Sequence, residues 1–223
     1  MTPESEIKYD IFKLEQGSNC IMKDFDGCIG CPFFIEEMFF LYELNDLIFE
    51  NILNLETRLR SERALPLIMS ADDAARLITD GMAVGISGFT NAGYPKVVPH
   101  ALAEQVKNGR KIKIELYSGA SVGPEVDTEL TEAGAIAKRI PYQTNSTLRK
   151  AINTGDIDYI DMRLGRSPEF IAAGHVRKPD IALVEALAIT EDGHLIPTTS
   201  VGNTPTYVAE ADAVIVEIAM SKP

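Results

Sequence analysis

Three glycines and a proline punctuate Gly85-Ile-Ser-Gly88-Phe-Thr-Asn-Ala-Gly93-Tyr-Pro95. The apolar residues ahead of this turn (Met82, Ala83, Val84, Ile86) read as a short buried strand, and Val97 to Val106 behind it reads as a helix. A strand, a glycine-rich turn and a helix start together gather unpaired backbone N–H groups in one place. Glycine has no Cβ, so a ligand can come close to the chain there. The chemistry this suits is capture of a small anion or a polarised carbonyl. A tight turn that binds nothing fits the same residues, and the glycines match neither the P-loop nor the dinucleotide spacing.

Three more turns share that character: Ser118-Gly-Ala-Ser-Val-Gly-Pro124, Pro141-Tyr-Gln-Thr-Asn-Ser146 and Thr198-Thr-Ser-Val-Gly-Asn203. They offer hydroxyls, amides and N–H groups rather than charge. A nucleophile with its base is not evident. Gly85-Ile-Ser87-Gly88 has the wrong register for a nucleophile elbow, and His100, His175 and His194 have no readable serine or cysteine partner. Glu185 and Glu217 stand among apolar strand residues, where a carboxylate is costly unless paired. Each therefore needs a structural partner or lies at a strand end beside the site. Cys20, Cys28 and Cys31 have the spacing C-x7-C-x2-C with no histidine nearby, a poor match to a four-ligand metal site. They read as reduced thiols, in keeping with a cytoplasmic setting.

The elements that must position these turns alternate. Ser70-Ala-Asp-Asp73 opens a helix running to about Thr79. Strands follow at Ala83–Ile86, Ile112–Tyr117, Ala135–Ile140, Tyr159–Met162, Asp180–Ala186 and Val214–Ile218, with helices at Val97–Val106, from Pro124, at Thr147–Asn153, Ser167–Ala173 and Pro205–Ala211. Glu191-Asp-Gly193 marks a hairpin between Ala188–Thr190 and His194–Pro197. The pattern predicts an α/β fold with a mainly parallel sheet flanked by helices, in which loops beyond the carboxyl ends of strands make the ligand site. Residues 1–57 differ in composition. They hold 12 acidic residues, 3 lysines and seven of the nine phenylalanines. We expect a boundary between an acidic, Phe-rich extension (1–57), mostly helical with a helix over Phe33–Leu59, and a main domain (58–223). The net charge of −12 argues against nucleic acid or an anionic membrane as partner, and no apolar run reaches transmembrane length.

The runs Ser87-Gly-Phe-Thr-Asn-Ala-Gly-Tyr-Pro-Lys96, Gly119-Ala-Ser-Val-Gly-Pro124, Pro141-Tyr-Gln-Thr-Asn145, Ile152-Asn-Thr-Gly155, Val184-Glu-Ala186, Ile189-Thr-Glu-Asp-Gly193 and Pro197-Thr-Thr-Ser-Val-Gly-Asn203, in this order, resemble the amino-terminal domain of the acetyl-CoA hydrolase/transferase family. That family belongs to the class I CoA-transferases and includes succinyl-CoA:acetate CoA-transferases. The resemblance covers about Arg58 to Ile218. It implies exchange of CoA between an acyl-CoA and a small carboxylate through a glutamyl–CoA thioester, with the coenzyme A thioester as substrate and no other cofactor.

In the family the reactive glutamate lies in the carboxy-terminal domain. The resemblance therefore implies the amino-terminal half of an enzyme, incomplete alone, needing a carboxy-terminal half or a homo-oligomeric partner. By position Ser121 and Thr144 match pocket residues. Gly88, Phe89, Thr90 and Gly93 line the same cleft, with Gly119 and Asn203 beside them. Two departures stand out. Asp161-Met-Arg163-Leu164 replaces the family's Asp-x-His-Leu, and Ala219 follows Val216-Glu-Ile218 where the family usually has Asn. Two other readings are a non-catalytic CoA- or small-anion-binding module or inactive fragment, and an enzyme that uses Glu185 or Glu217 as its own acyl acceptor.

Overall fold

The computed structural model describes residues 9–15, 55 and 57–220. They form one sheet of nine strands: β1 (Tyr9–Glu15), β2 (Ile68–Met69), β3 (Ala83–Ile86), β4 (Ile114–Tyr117), β5 (Ile136–Ile140), β6 (Asp158–Tyr159), β7 (Ile181–Ile189), β8 (Leu195–Pro197) and β9 (Ala213–Ala219). The order is β2-β1-β9-β7-β3-β4-β5-β6, with β8 paired to β7 outside that path. The six strands from β9 to β6 are mutually parallel. β8 folds back antiparallel on β7 as the hairpin signal predicts. The helices are α1 (Ala71–Leu77), α2 (Val97–Lys107), α3 (Leu130–Glu132, entered through a π-helical turn at Glu125–Glu129), α4 (Ser146–Thr154), α5 (Ser167–Ala172) and α6 (Thr204–Glu210).

Strand periodicity divides the core into two layers. Val84, Ile86, Ile114, Leu116, Ile136, Leu183 and Ile215 point to the face covered by α1 to α4. Ala83, Tyr117, Ile140, Ala182, Val184, Val214, Val216 and Ile218 point to the opposite face, where Ile171 of α5 and Tyr207 of α6 pack. Glu185 and Glu217 have the parity of Leu183 and Ile215, so both carboxylates enter the α2 side of the core.

The mainly parallel sheet flanked by helices agrees with the α/β expectation. Two strands were not anticipated, β1 and the short β2. β1 lies within the first 57 residues and pairs antiparallel with β9 from Tyr9↔Ala219 to Glu15↔Ala213, and with β2 on its other side. Residues 9–15 of that acidic segment are thus strand, whereas Leu55 and Thr57 are helical, as expected of the end of its helix. The helix expected over 33–59 lies outside the described residues apart from its last few positions, as do Cys20, Cys28 and Cys31. Among the described residues no helix is long and apolar enough to cross a membrane.

Candidate functional site

Strand register decides where the turns go. Gly85 of β3 pairs with Tyr117 of β4, Tyr117 with Ile140 of β5, and Ile86 with Leu183 of β7. Three strands therefore end together, and the turns 87–95, 118–124 and 141–145 leave the sheet side by side at its carboxyl edge. The fourth turn, 198–203, arrives at the same edge because β8 returns along β7 and ends at Pro197, opposite Ala186.

Close approaches then lock the turns together, and glycines make them possible. A Cβ on Gly202 (φ 55°) would collide with Ser87 Oγ and lie 2.7 Å from the Gly88 carbonyl oxygen. One on Gly93 (φ 66°) would sit 2.7 Å from the Ser200 carbonyl oxygen. One on Gly123 would overlap the Tyr94 ring and hydroxyl. Hydrogen bonds follow the same seams. Asn203 N–H donates to Ser87 Oγ (2.7 Å), Asn203 Nδ2 to Ser167 Oγ (2.7 Å), Ser200 Oγ to the Ala92 carbonyl (2.6 Å) and Tyr207 Oη to the Ser118 carbonyl (2.9 Å). Turn 141–145 is tied in through Ser118 N–H to the Ile140 carbonyl (2.7 Å) and Asn145 Nδ2 to Thr128 Oγ1 (2.8 Å).

Within this cluster the candidate residues have different surroundings. Phe89 is 60% exposed at the tip of its turn, Thr90 beside it has a left-handed φ of 53°, and Thr144 is exposed. Ser121 is buried, and its hydroxyl donates to Asp127 Oδ2 at 2.6 Å. Gly119 lies against Ser87 and Asn203. Beneath the turns Asp127 and Arg139 form a buried ion pair (3.4 Å). Val122 N–H also donates to Asp127 (3.1 Å), and Arg139 Nη1 donates to the Ile140 carbonyl (2.8 Å).

The anion expected at the start of α2 is supplied by the protein itself. Glu217 of β9 accepts from the backbone N–H groups of Lys96 (2.7 Å), Val97 (3.2 Å) and Val98 (2.7 Å). These are donors that a helix start leaves without intrahelical partners, and they are therefore not open to a ligand. Burial pushes the Glu217 carboxyl up to about 7, against the pull of those three N–H groups and of Lys96.

Glu185, in register with Glu217 on the adjacent strand, accepts from Lys96 Nζ (2.5 Å) and Thr198 Oγ1 (2.6 Å). It thereby joins the end of turn 87–95 to the start of turn 198–203. Lys96 Nζ also donates to the Tyr94 carbonyl (2.7 Å) and lies 4.1 Å from the centre of the Tyr94 ring. Both glutamates are buried and committed to these partners. Neither is presented to an acyl thioester, which removes the reading in which one of them is the acyl acceptor. Sequence reasoning foresaw that these carboxylates need partners but did not find Lys96, Asp127 or Arg139.

Residues 54–223 match the acetyl-CoA hydrolase/transferase N-terminal domain. The chain belongs to that family. A succinyl-CoA:acetate CoA-transferase of Clostridium kluyveri is 48% identical over 169 residues, covering 75% of this chain and 31% of that protein. A propanoyl-CoA:succinate CoA transferase of Escherichia coli is 38% identical over 154 residues, covering 67% of this chain and 31% of the relative. An acetyl-CoA hydrolase of Saccharomyces cerevisiae is 35% identical over 179 residues, covering 76% and 34%. The chain thus spans about a third of the length of these curated relatives. Four of the seven runs that carry the family resemblance are the turns the fold brings to one edge of the sheet.

Proposed function

We infer that this domain forms one wall of the acyl pocket of an acyl-CoA:carboxylate CoA-transferase or acetyl-CoA hydrolase, taking acetyl- or succinyl-CoA with acetate or succinate. The reactive glutamate would be carried by the family's carboxy-terminal domain. The observation that carries the reading is the meeting of four glycine- and hydroxyl-bearing turns at the carboxyl edge of β3, β4 and β5. The names borne by its relatives support it.

In the proposed reaction a glutamate oxygen attacks the thioester carbon and CoA leaves as thiolate. The thiolate then opens the mixed anhydride at the glutamyl carbon, releasing the first carboxylate and leaving a glutamyl–CoA thioester. An incoming carboxylate reverses these steps, while water in its place gives hydrolysis. The role of this domain is to hold the acyl group and stabilise the developing oxyanion with short, fixed donors. Gly88, Phe89, Thr90, Gly93, Gly119, Ser121, Thr144 and Asn203 are its pocket residues in this reading. Phe89, Thr90 and Thr144, being exposed, are those whose side chains reach the substrate. Ser121 and Asn203 stiffen the wall through Asp127, Ser87 and Ser167. The small-anion module loses its main physical support because Glu217 occupies the α2 N-terminus.

The test is to mix the chain with a separately produced carboxy-terminal domain of the family and assay succinyl-CoA with acetate. A complex that forms acetyl-CoA is the expected result. No complex and no transfer overturns the reading.

A further inference from the structure

Glu217 takes no part in the proposed chemistry. It accepts from all three N–H groups that open α2, and α2 begins where the glycine turn 88–95 ends. The helix has no side-chain cap of its own, so the direction in which the chain leaves the turn is set by a carboxyl on β9.

Among the described residues two charged groups face that carboxyl. Lys96 lies across the helix start, and Glu185 is its register partner on β7. On β1 the residue in register is Ile11. Two positions further along the strands, Arg58 Nη1 donates to the carbonyls of Leu187 (3.4 Å) and Ala219 (3.2 Å).

We propose that Glu217 is the positioning residue of the glycine turn, so that solution pH acts on the turn through this one carboxyl. The geometry supplies the coupling. A carboxylate offers acceptor lone pairs on both oxygens. The two oxygens between them hold all three N–H groups, so whatever opens or closes around this carboxyl is felt at the start of α2. Burial opposes the charged state, whereas any opening that lets water reach Glu217 favours it. Ionisation therefore shifts the balance toward the open form, and the start of α2 loosens as pH rises.

Amide hydrogen exchange on the whole chain reads this directly. After normalising for the intrinsic rate, protection at Lys96, Val97 and Val98 should fall about tenfold or more between about pH 5 and 8, because each unit by which the folded carboxyl is raised carries up to about tenfold in the opening equilibrium. In Glu217→Gln the pH dependence disappears. Because that variant removes a buried charge and could fold poorly, a wild-type NMR titration runs beside it. There the Glu217 carboxyl carbon and the three amide signals should share one midpoint.

Protection that is flat or rises with pH overturns the proposal, as does a carboxyl that titrates without moving the amides. No acyl-CoA enters either measurement, so the proposal fails or stands separately from the assigned reaction.

Discussion

Helices α1 and α2 lie together on one face of the sheet, yet their first turns are held in opposite ways. Ser70, the residue immediately before α1, accepts from the Asp73 N–H at 3.1 Å, and α4 is closed similarly by Asn145, which accepts from Leu148 N–H at 3.0 Å. Both are local caps that any isolated segment could make. In α2 the acceptor lies 119 residues from Val98, on a central strand. A local cap stabilises a helix; a distant cap fastens a helix to a sheet. The helix fastened in this way is the one that follows the glycine turn.

Truncating the distant cap should have the largest effect. Glu217→Ala leaves three N–H groups without their acceptor and opens a cavity, and should cost at least about 3 kcal/mol in urea unfolding. A loss near 1 kcal/mol would reduce Glu217 to the rank of an ordinary cap.

Next comes pH. A folded carboxyl raised above its ordinary value keeps a proton that the unfolded chain releases, so stability is greatest below the unfolded value and is lost as pH rises through the folded one. From pH 5 to 8 the wild type should lose up to about 3 kcal/mol from this group, and Glu217→Gln should remove that slope. Melting curves at several pH values check it, and equal slopes in both proteins would break the contrast. The smallest effect belongs to the local caps. Ser70→Ala and Asn145→Ala should each cost about 1 kcal/mol and leave the pH slope unchanged.

The same distinction marks what could be read from the sequence. The Ser70 cap was legible because the Ser-x-x-Asp pattern lies within four residues. Alternating apolar residues located the parallel strands, and the general rule for α/β sheets sent their glycine turns to one edge. Glu185 and Glu217 were recognisable as costly without partners. Their partner Lys96 was not, since nothing local to residue 217 identifies a helix start more than a hundred positions earlier. The Asp127–Arg139 pair escaped for a related reason: Arg139 stands beside Lys138 in its strand and reads as one of two solvated charges, and only the fold shows it buried. β1 was missed because Tyr9-Asp-Ile-Phe-Lys-Leu-Glu15 does not alternate cleanly. Its evidence is the neighbour it pairs with, not its own pattern.

The long reach of Glu217 also orders events during synthesis. β9 leaves the ribosome long after β3, the glycine turn and α2 have been made, and β7, which sits between β3 and β9, is itself a late arrival. A nascent chain can form α1 and the β4–β5 pair as they emerge, but the helix behind its glycine turn lacks the Glu217 carboxyl until β9 is translated. The residues proposed for the acyl pocket therefore acquire their geometry only once β9 has been added, in a single closing step.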